Sequence, residues 1–238
     1  MIAQDELVFY TCFFGDNHSV ANNIPNLPTT EYDCYYFTNN LSTYNKLKNT
    51  GWNRVFMNDT PIKETFAGNS MDCKEIKSCP HKFQILNQYK YSCYFDSKLK
   101  IDLERVKTNL INLINTDKTI IFAKHPFIKS NNVWDEFNES MKQPRYFDQK
   151  EQYEKYINQK LSQGLMPASD IHHVTGFIIR KHCETTNQIN EEWYKHIKEC
   201  GIQCQISFFF VQQMYKAHIY PVEYYDGFYD IYHNDYWK

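Results

Sequence analysis

The residues best placed for chemistry lie in Tyr91-Ser92-Cys93-Tyr94-Phe95-Asp96-Ser97-Lys98, an apolar strand pattern that ends on an acid. In open α/β sheets, ligands meet groups presented just beyond the carboxyl ends of strands. A carboxylate at that place can hold a divalent cation, Mn²⁺ or Mg²⁺, which in turn neutralises a diphosphate. The usual arrangement has a second carboxylate two residues on. Here Lys98 stands instead, and it can meet a diphosphate directly as a positive point charge. A turn capped by Asp96 beside a solvated Lys98 accounts for the same residues about equally well.

Four further segments carry useful side chains. Lys74 and Lys77 are three apart, so on a helix they share one face, and His81 falls on the same side. Such a stripe suits an anionic ligand, although a solvated helix face needs none. His125-Pro126 follows a short apolar run, with Asp135 and Glu136 on a predicted helix beyond it. An imidazole and a carboxylate there can pair as acid/base or acceptor-orienting groups. Asp170, His172, His173 and Gly176 crowd around another apolar run. Adjacent histidines on a strand face opposite ways, so His172 and His173 cannot share one metal without distortion. Gly176 inside the strand permits close approach of a ligand or of backbone. Gln205 and Ser207 open a late apolar run, where they can bind hydroxyl groups or simply cap and pack a helix.

Composition narrows the setting. The net charge is −2 with no Lys/Arg block, which argues against a nucleic-acid partner. No apolar run reaches the roughly 18 residues of a membrane span. The first residues, Met1 to Glu6, carry acid where a secretory signal needs base. Eight cysteines without a C-x-x-C pair fit reduced thiols and a cytoplasmic location. Aromatics reach 17%, a richness that compositional bias explains as readily as a wet, ring-lined groove.

Strands are predicted at 7–13, 32–38, 52–57, 91–95, 119–123 and 174–179. Helices are predicted at 73–88 with an interruption near Pro80, from an Asp102 cap through about Asn115, at 133–141, at 149–161, and from Asn190 to Gly201. The run 206–214 is apolar throughout, and periodicity does not assign it to helix or strand. Strands alternating with helices predict one α/β domain over 1–238, a Rossmann-like sandwich with a mostly parallel central sheet flanked by helices.

Several of these pieces form an ordered set over roughly 7–215. They are Tyr10 to Phe14; Tyr32-Asp33-Cys34-Tyr35-Tyr36-Phe37-Thr38-Asn39 with Gly51-Trp52; Lys74, Lys77 and Pro80-His81; Tyr94 to Lys98; His125-Pro126 with Asp135-Glu136; Ile179 to His182; Trp193; and Gln205-Ile206-Ser207-Phe208. The set resembles the glycosyltransferase-like family formerly called domain of unknown function 616, found in plant mucilage- and turgor-related proteins and in many microbial ones. The resemblance implies a GT-A-like nucleotide-binding fold and a transferase that moves a sugar from a nucleoside-diphosphate sugar, UDP-sugar favoured, to a glycan or glycoprotein acceptor. About 1–100 would bind the donor and about 101–238 the acceptor.

Under that resemblance, Tyr10, Thr11, Phe14, Gly15 and Thr38 would hold the base and ribose. Lys74, Lys77, His81 and Lys98 would face the diphosphate. Asp96 would hold a divalent cation or, in a metal-independent reaction, a ribose or sugar hydroxyl. His125, Glu136, His172, Gly176 and Ser207 would form the acceptor side. Asp96, Asp170 and Gln205 are the catalytic candidates, and a late histidine, His218 or His233, would complete a metal site. A homodimer is compatible with the aromatic C-terminal stretch. Two departures from the family stand out. Lys74 replaces an arginine, and Gln203-Cys204 replace Arg-Asp. If that missing acid acts on the reacting sugar, its role passes to Asp170 or Glu136, or the chain is a carbohydrate-binding protein without turnover. A third reading is a hydrolase of amide or glycan bonds with metal on His81, His125 and His172, without the usual zinc spacings.

Overall fold

Alternation of side chains along the strands decides the architecture. The computed structural model describes residues 2–16 and 24–230. Its main sheet runs in the order β3-β2-β1-β4-β7-β6-β8. The strands are β1 (Leu7–Phe13), β2 (Asp33–Thr38), β3 (Asn53–Phe56), β4 (Tyr91–Phe95), β6 (Ile120–Lys124), β7 (His173–Lys181) and β8 (Ile219–Val222). All pairings are parallel except those of β7, which is antiparallel to both β4 and β6. A small second sheet pairs β5 (Leu99–Ile101) with β9 (Phe228–Asp230). The helices are α1 (Leu41–Lys46), α2 (Phe66–Ser78), α3 (Gln84–Asn87), α4 (Leu103–Ile114), α5 (Val133–Ser140), α6 (Pro144–Phe147), α7 (Lys150–Ser162), α8 (Glu184–Cys200) and α9 (Cys204–Met214).

Leu7, Phe9, Cys93, Phe95, Ile121, Phe177 and Ile179 point to one face and pack with Val106, Leu110 and Leu113 of α4. Their neighbours Val8, Tyr10, Tyr94, Ile120, Phe122 and Ile178 point to the other, against Ile76 of α2, Trp193 of α8 and Phe208 of α9. This period of two is what a sheet buried on both faces requires. The expected α/β sandwich, mostly parallel and flanked by helices, is the observed fold.

Helix ends follow local chemistry. Asp102 caps α4 as expected, accepting the Arg105 amide at 3.2 Å. α2 starts earlier than its spacing suggests, because Thr65 accepts the Gly68 amide and sets the first turn. It ends at Ser78, and Pro80–Lys82 forms a separate 3-10 turn, so His81 leaves the face that carries Lys74 and Lys77. The ambiguous run 206–214 is helical. It packs against β7, α5, α7 and α8 at once, so burial on several sides erases its periodicity. Among the described residues no helix is long and apolar enough to cross a membrane. All eight cysteines are free.

One irregularity shapes the site. β7 pairs with β6 at Ile178 and again at Val174, skipping Thr175, Gly176 and Phe177, while Phe177 stays paired with Phe95 of β4. The bulge frees the 175–177 segment from one neighbour, a device common beside active sites. Beneath it, Arg180 of β7 is fully buried. Its guanidinium donates to Asn190 Oδ1 at 3.0 Å, to the Tyr10 hydroxyl at 3.0 Å and to the Lys77 carbonyl at 2.9 Å. Arg180→Ala leaves these acceptors short of a donor and opens a void, so a loss of about 3 kcal/mol is expected. Denaturant midpoints of variant and parent check it; equal midpoints would contradict this account of the core.

Candidate active site

Asp96 lies one residue past β4 and two past Tyr94, and both side chains meet Lys77 of α2. The Tyr94 hydroxyl donates to Asp96 Oδ1 at 2.7 Å, and Lys77 Nζ reaches the same oxygen at 3.2 Å. Lys77 also lies over the Tyr94 ring, 5.0 Å from its centre. Its side chain is 5% exposed, against 33% for Asp96. The carbonyl of Lys77 is held by Arg180 and by the Tyr10 hydroxyl, so the core fixes the lysine in place. On the far side, the Asp96 amide donates to the Gly176 carbonyl at 2.8 Å. A Cβ at Gly176 would stand 2.9 Å from Asp96 Oδ2, so the bulge needs glycine to admit the carboxylate.

The charges here do not balance. Burial raises the Asp96 carboxyl pKa, but Lys77, then Lys98 and Lys74, and the Tyr94 hydrogen bond together bring it below the usual carboxylate range. Burial pulls Lys77 down, yet Asp96 and its other neighbours leave it above its ordinary value. Lys74 Nζ sits 3.6 Å from Cys204 Sγ, and the Thr175 hydroxyl is 3.2 Å from the same sulfur. Burial pushes the Cys204 thiol up, but Lys74, Lys77 and the Thr175 hydroxyl outweigh it, so the pKa is lowered. Three ammonium groups therefore surround one carboxylate.

Asp96, Lys98 and Gly176 line a cavity of about 1000 Å³, together with His125, Glu136 and Gln205. Glu136 of α5 forms its second polar centre. Oε2 accepts from His172 Nε2 at 2.8 Å, with His125 Nε2 at 3.5 Å. Oε1 accepts from Gln203 at 2.9 Å, Gln205 at 3.1 Å and Ser140 at 3.3 Å. Burial raises the Glu136 pKa, but His172, His125 and Gln205 together hold it below the ordinary range. His125 Nδ1 accepts the Phe127 and Ile128 amides at 3.1 and 3.0 Å. Its proton therefore sits on Nε2, and burial lowers its pKa to about 4. His125 Nδ1 and both Glu136 oxygens already accept hydrogen bonds, so the expected imidazole–carboxylate pair, acid/base or acceptor-orienting, stands within a hydrogen-bond array.

Among the described residues, neither centre as it stands offers an open donor set for a divalent cation. Asp96 Oδ1 is already engaged by Lys77 and Tyr94, and the surroundings are cationic. The His125, Glu136 and His172 ligand atoms lie within 4.8 Å of one another. Yet His125 Nδ1 is an acceptor for two amides, so Nε2 is protonated and has no lone pair for a metal. The same geometry removes the metal-hydrolase reading. His81, its third expected ligand, lies at the other end of the sheet.

Several expected site residues are elsewhere. Tyr10 and Thr11 are fully buried on β1, and Phe14 packs in the core. The Gly15 amide and carbonyl are taken by Asn39 and Asn40, and Thr38 Oγ1 accepts the Asn40 amide. None of these five lines the cavity: the side chains of Tyr10, Thr11, Phe14 and Thr38 are buried in the packing, and Gly15 is held through its backbone. His81 lines a different cavity of about 520 Å³ with His182 and Glu191, beside the start of β4. Asp170 is exposed, pairs with Lys216 and lines a third cavity of about 370 Å³. Ser207 is fully buried, donating to the Cys204 carbonyl and accepting from Trp193. His218 precedes β8 at the start of β6, whereas Asp96 stands beyond the end of β4, so the two cannot share a metal. His172 is buried behind Glu136, and His173 turns the opposite way to Gln212, as strand alternation requires. His233 lies outside the described residues.

Sequence reasoning names Tyr94 and Arg180 only as members of the motifs Tyr94 to Lys98 and Ile179 to His182, and assigns no role to them or to Thr175. Only the two-residue spacing of Tyr94 from Asp96 gave a usable signal; the other two depend on long-range register.

The mouse xyloside xylosyltransferase 1 structure, in its apo form, superposes with a TM-score of 0.52 at 9% identity, covering 91% of this chain and 85% of that one. At that identity the likeness concerns the fold. No curated protein sequence matches the chain. The family described as TOD1/MUCI70, glycosyltransferase-like domain, matches residues 6–228. The chain belongs to the TOD1/MUCI70 glycosyltransferase-like family.

Proposed function

We propose that the protein transfers a sugar from a nucleoside-diphosphate sugar to a hydroxyl of a glycan or glycoprotein acceptor. The observation that carries this reading is the excess of lysine charge around Asp96 at the wall of the large cavity. Lys74, Lys77 and Lys98 are the cations that bear on that carboxylate, and Lys98 lines the cavity itself. A diphosphate is the anion such a cluster suits. As the sugar–phosphate bond breaks, negative charge grows on the departing diphosphate, and fixed ammonium groups stabilise that state more than the ground state. Asp96 holds Lys77 in place and offers its second oxygen to a ribose or sugar hydroxyl. The cavity volume lies at the upper end of the small-molecule range, enough for the transferred sugar and an acceptor unit together. Phe127, Tyr146 and Tyr224 supply aromatic rings for the acceptor sugars.

In this reading the lysines replace a divalent cation. A thermal-shift screen of UDP-, GDP-, CMP- and ADP-sugars tests it, since a ligand that binds only the folded form raises its apparent stability. At least one diphosphate sugar is expected to raise the midpoint equally in EDTA and in Mn²⁺. A shift that appears only with Mn²⁺ contradicts the metal-independent part. No shift with any nucleotide contradicts the donor class.

A further inference from the structure

Among the described residues, Glu136 is the one carboxylate in the fully buried class, at 3% exposure. Its partners are Gln203, Gln205, Ser140, His172 and His125, with no lysine or arginine among them. Burying an anion with no lysine or arginine beside it costs several kcal/mol in lost hydration. What the fold gains is orientation. An ionised carboxylate only accepts, so every neighbour must turn an N–H or O–H toward it. Gln205 accordingly gives its Nε2 to Glu136 Oε1. The side chain lines the cavity, and among the described residues its one side-chain hydrogen bond is the one its Nε2 gives to Glu136. With a neutral residue at 136, the Gln205 amide is free to flip and present N–H₂ instead.

We propose that Glu136 is a positioning residue that fixes the Gln205 carboxamide with its carbonyl oxygen toward the cavity, where that oxygen accepts a hydrogen bond from a sugar hydroxyl. The inference rests on the nucleotide-sugar reading above. The hydroxyl belongs to the transferred sugar or to the acceptor, and the two sources separate experimentally. Donor hydrolysis without acceptor reports the first, and the acceptor KM during transfer reports the second.

The test compares Glu136→Gln, Gln205→Leu and the exchange variant Glu136→Gln/Gln205→Glu with the parent. Each reaction is run with the nucleotide sugar that binds in the screen, and thermal midpoints are recorded in parallel. Both single variants are expected to lose at least tenfold in kcat/KM while diphosphate affinity stays within about twofold, because the lysine cluster is untouched. The exchange variant is expected to recover most of that loss over Glu136→Gln. The amide at 136 then donates to the carboxylate at 205, whose other oxygen still accepts the hydroxyl. A purely structural role for Glu136 predicts no such recovery. Parental kcat/KM in Gln205→Leu, or an exchange variant no better than Glu136→Gln, overturns the proposal. A parent protein inert toward every nucleotide sugar overturns the functional reading and this inference with it.

Discussion

Asp96→Asn is expected to lower sugar transfer by about 10²- to 10³-fold in kcat/KM, the range for removing one preorganised charged group from a site of this kind. The substitution keeps the shape of the side chain and removes its charge. Lys77, buried to 5% exposure, then lacks its counter-charge and meets an amide in place of a carboxylate oxygen. It shifts or sheds its proton, and either response disturbs the cluster that faces the leaving group. The stability cost is smaller than for a fully buried pair, because a third of the Asp96 side chain is exposed and partly hydrated. About 1–2 kcal/mol is expected, so the variant stays folded. Steady-state turnover beside a denaturation midpoint separates the two effects. A folded variant with unchanged turnover removes Asp96 from the mechanism.

Acid should unfold this protein well before its carboxylates titrate. His125, His173 and His182 are all lowered to about 4, each chiefly by burial. Glu136 opposes the shift at His125 and Gln212 at His173, while Arg180 reinforces it at His182. An unfolded histidine titrates near 6.5. Between about 6.5 and 4 the unfolded chain therefore binds protons that the folded chain refuses, and stability falls as pH falls. Each group is worth up to about 3 kcal/mol across that window, at 1.36 kcal/mol per pH unit. The expected result is a steep drop in the denaturant midpoint between pH 7 and 4.5. A flat profile would show that these imidazoles are hydrated in solution. Replacing His182 by Gln should flatten part of the slope without touching the cavity, since His182 lies at the other end of the sheet.

Much of this arrangement is legible along the chain, and the remainder has physical reasons for being hidden. β4 was read to the residue because its apolar run is bounded by Lys90 and Asp96. The Asp102 cap and the 103–114 helix follow from a local hydrogen bond and one apolar stripe. The strands β5, β8 and β9 are only three or four residues long, too short to show alternation, and their partners are far away in sequence. The expectation of His81 on the lysine stripe carries the helical spacing past the interruption foreseen at Pro80, whereas the helix ends at Ser78 and His81 sits in a separate turn. Thr11, Thr38 and Ser207 are expected at the site from the family resemblance. Here they are buried among strands and helices that only the fold brings together. The Lys77 and Asp96 pair is 19 residues apart in sequence, and family order rather than spacing pointed to it.

Calorimetric titration of UDP, GDP and ADP in EDTA, with the parent protein and with Lys98→Ala, bears on the account most directly. Lys98 lines the cavity and has no role in the core, so its loss should leave the fold intact. The account predicts saturable binding of at least one diphosphate to the parent and a loss of tenfold or more in Lys98→Ala. Equal affinity in the two proteins, or no binding to either, would contradict a diphosphate site beside Asp96.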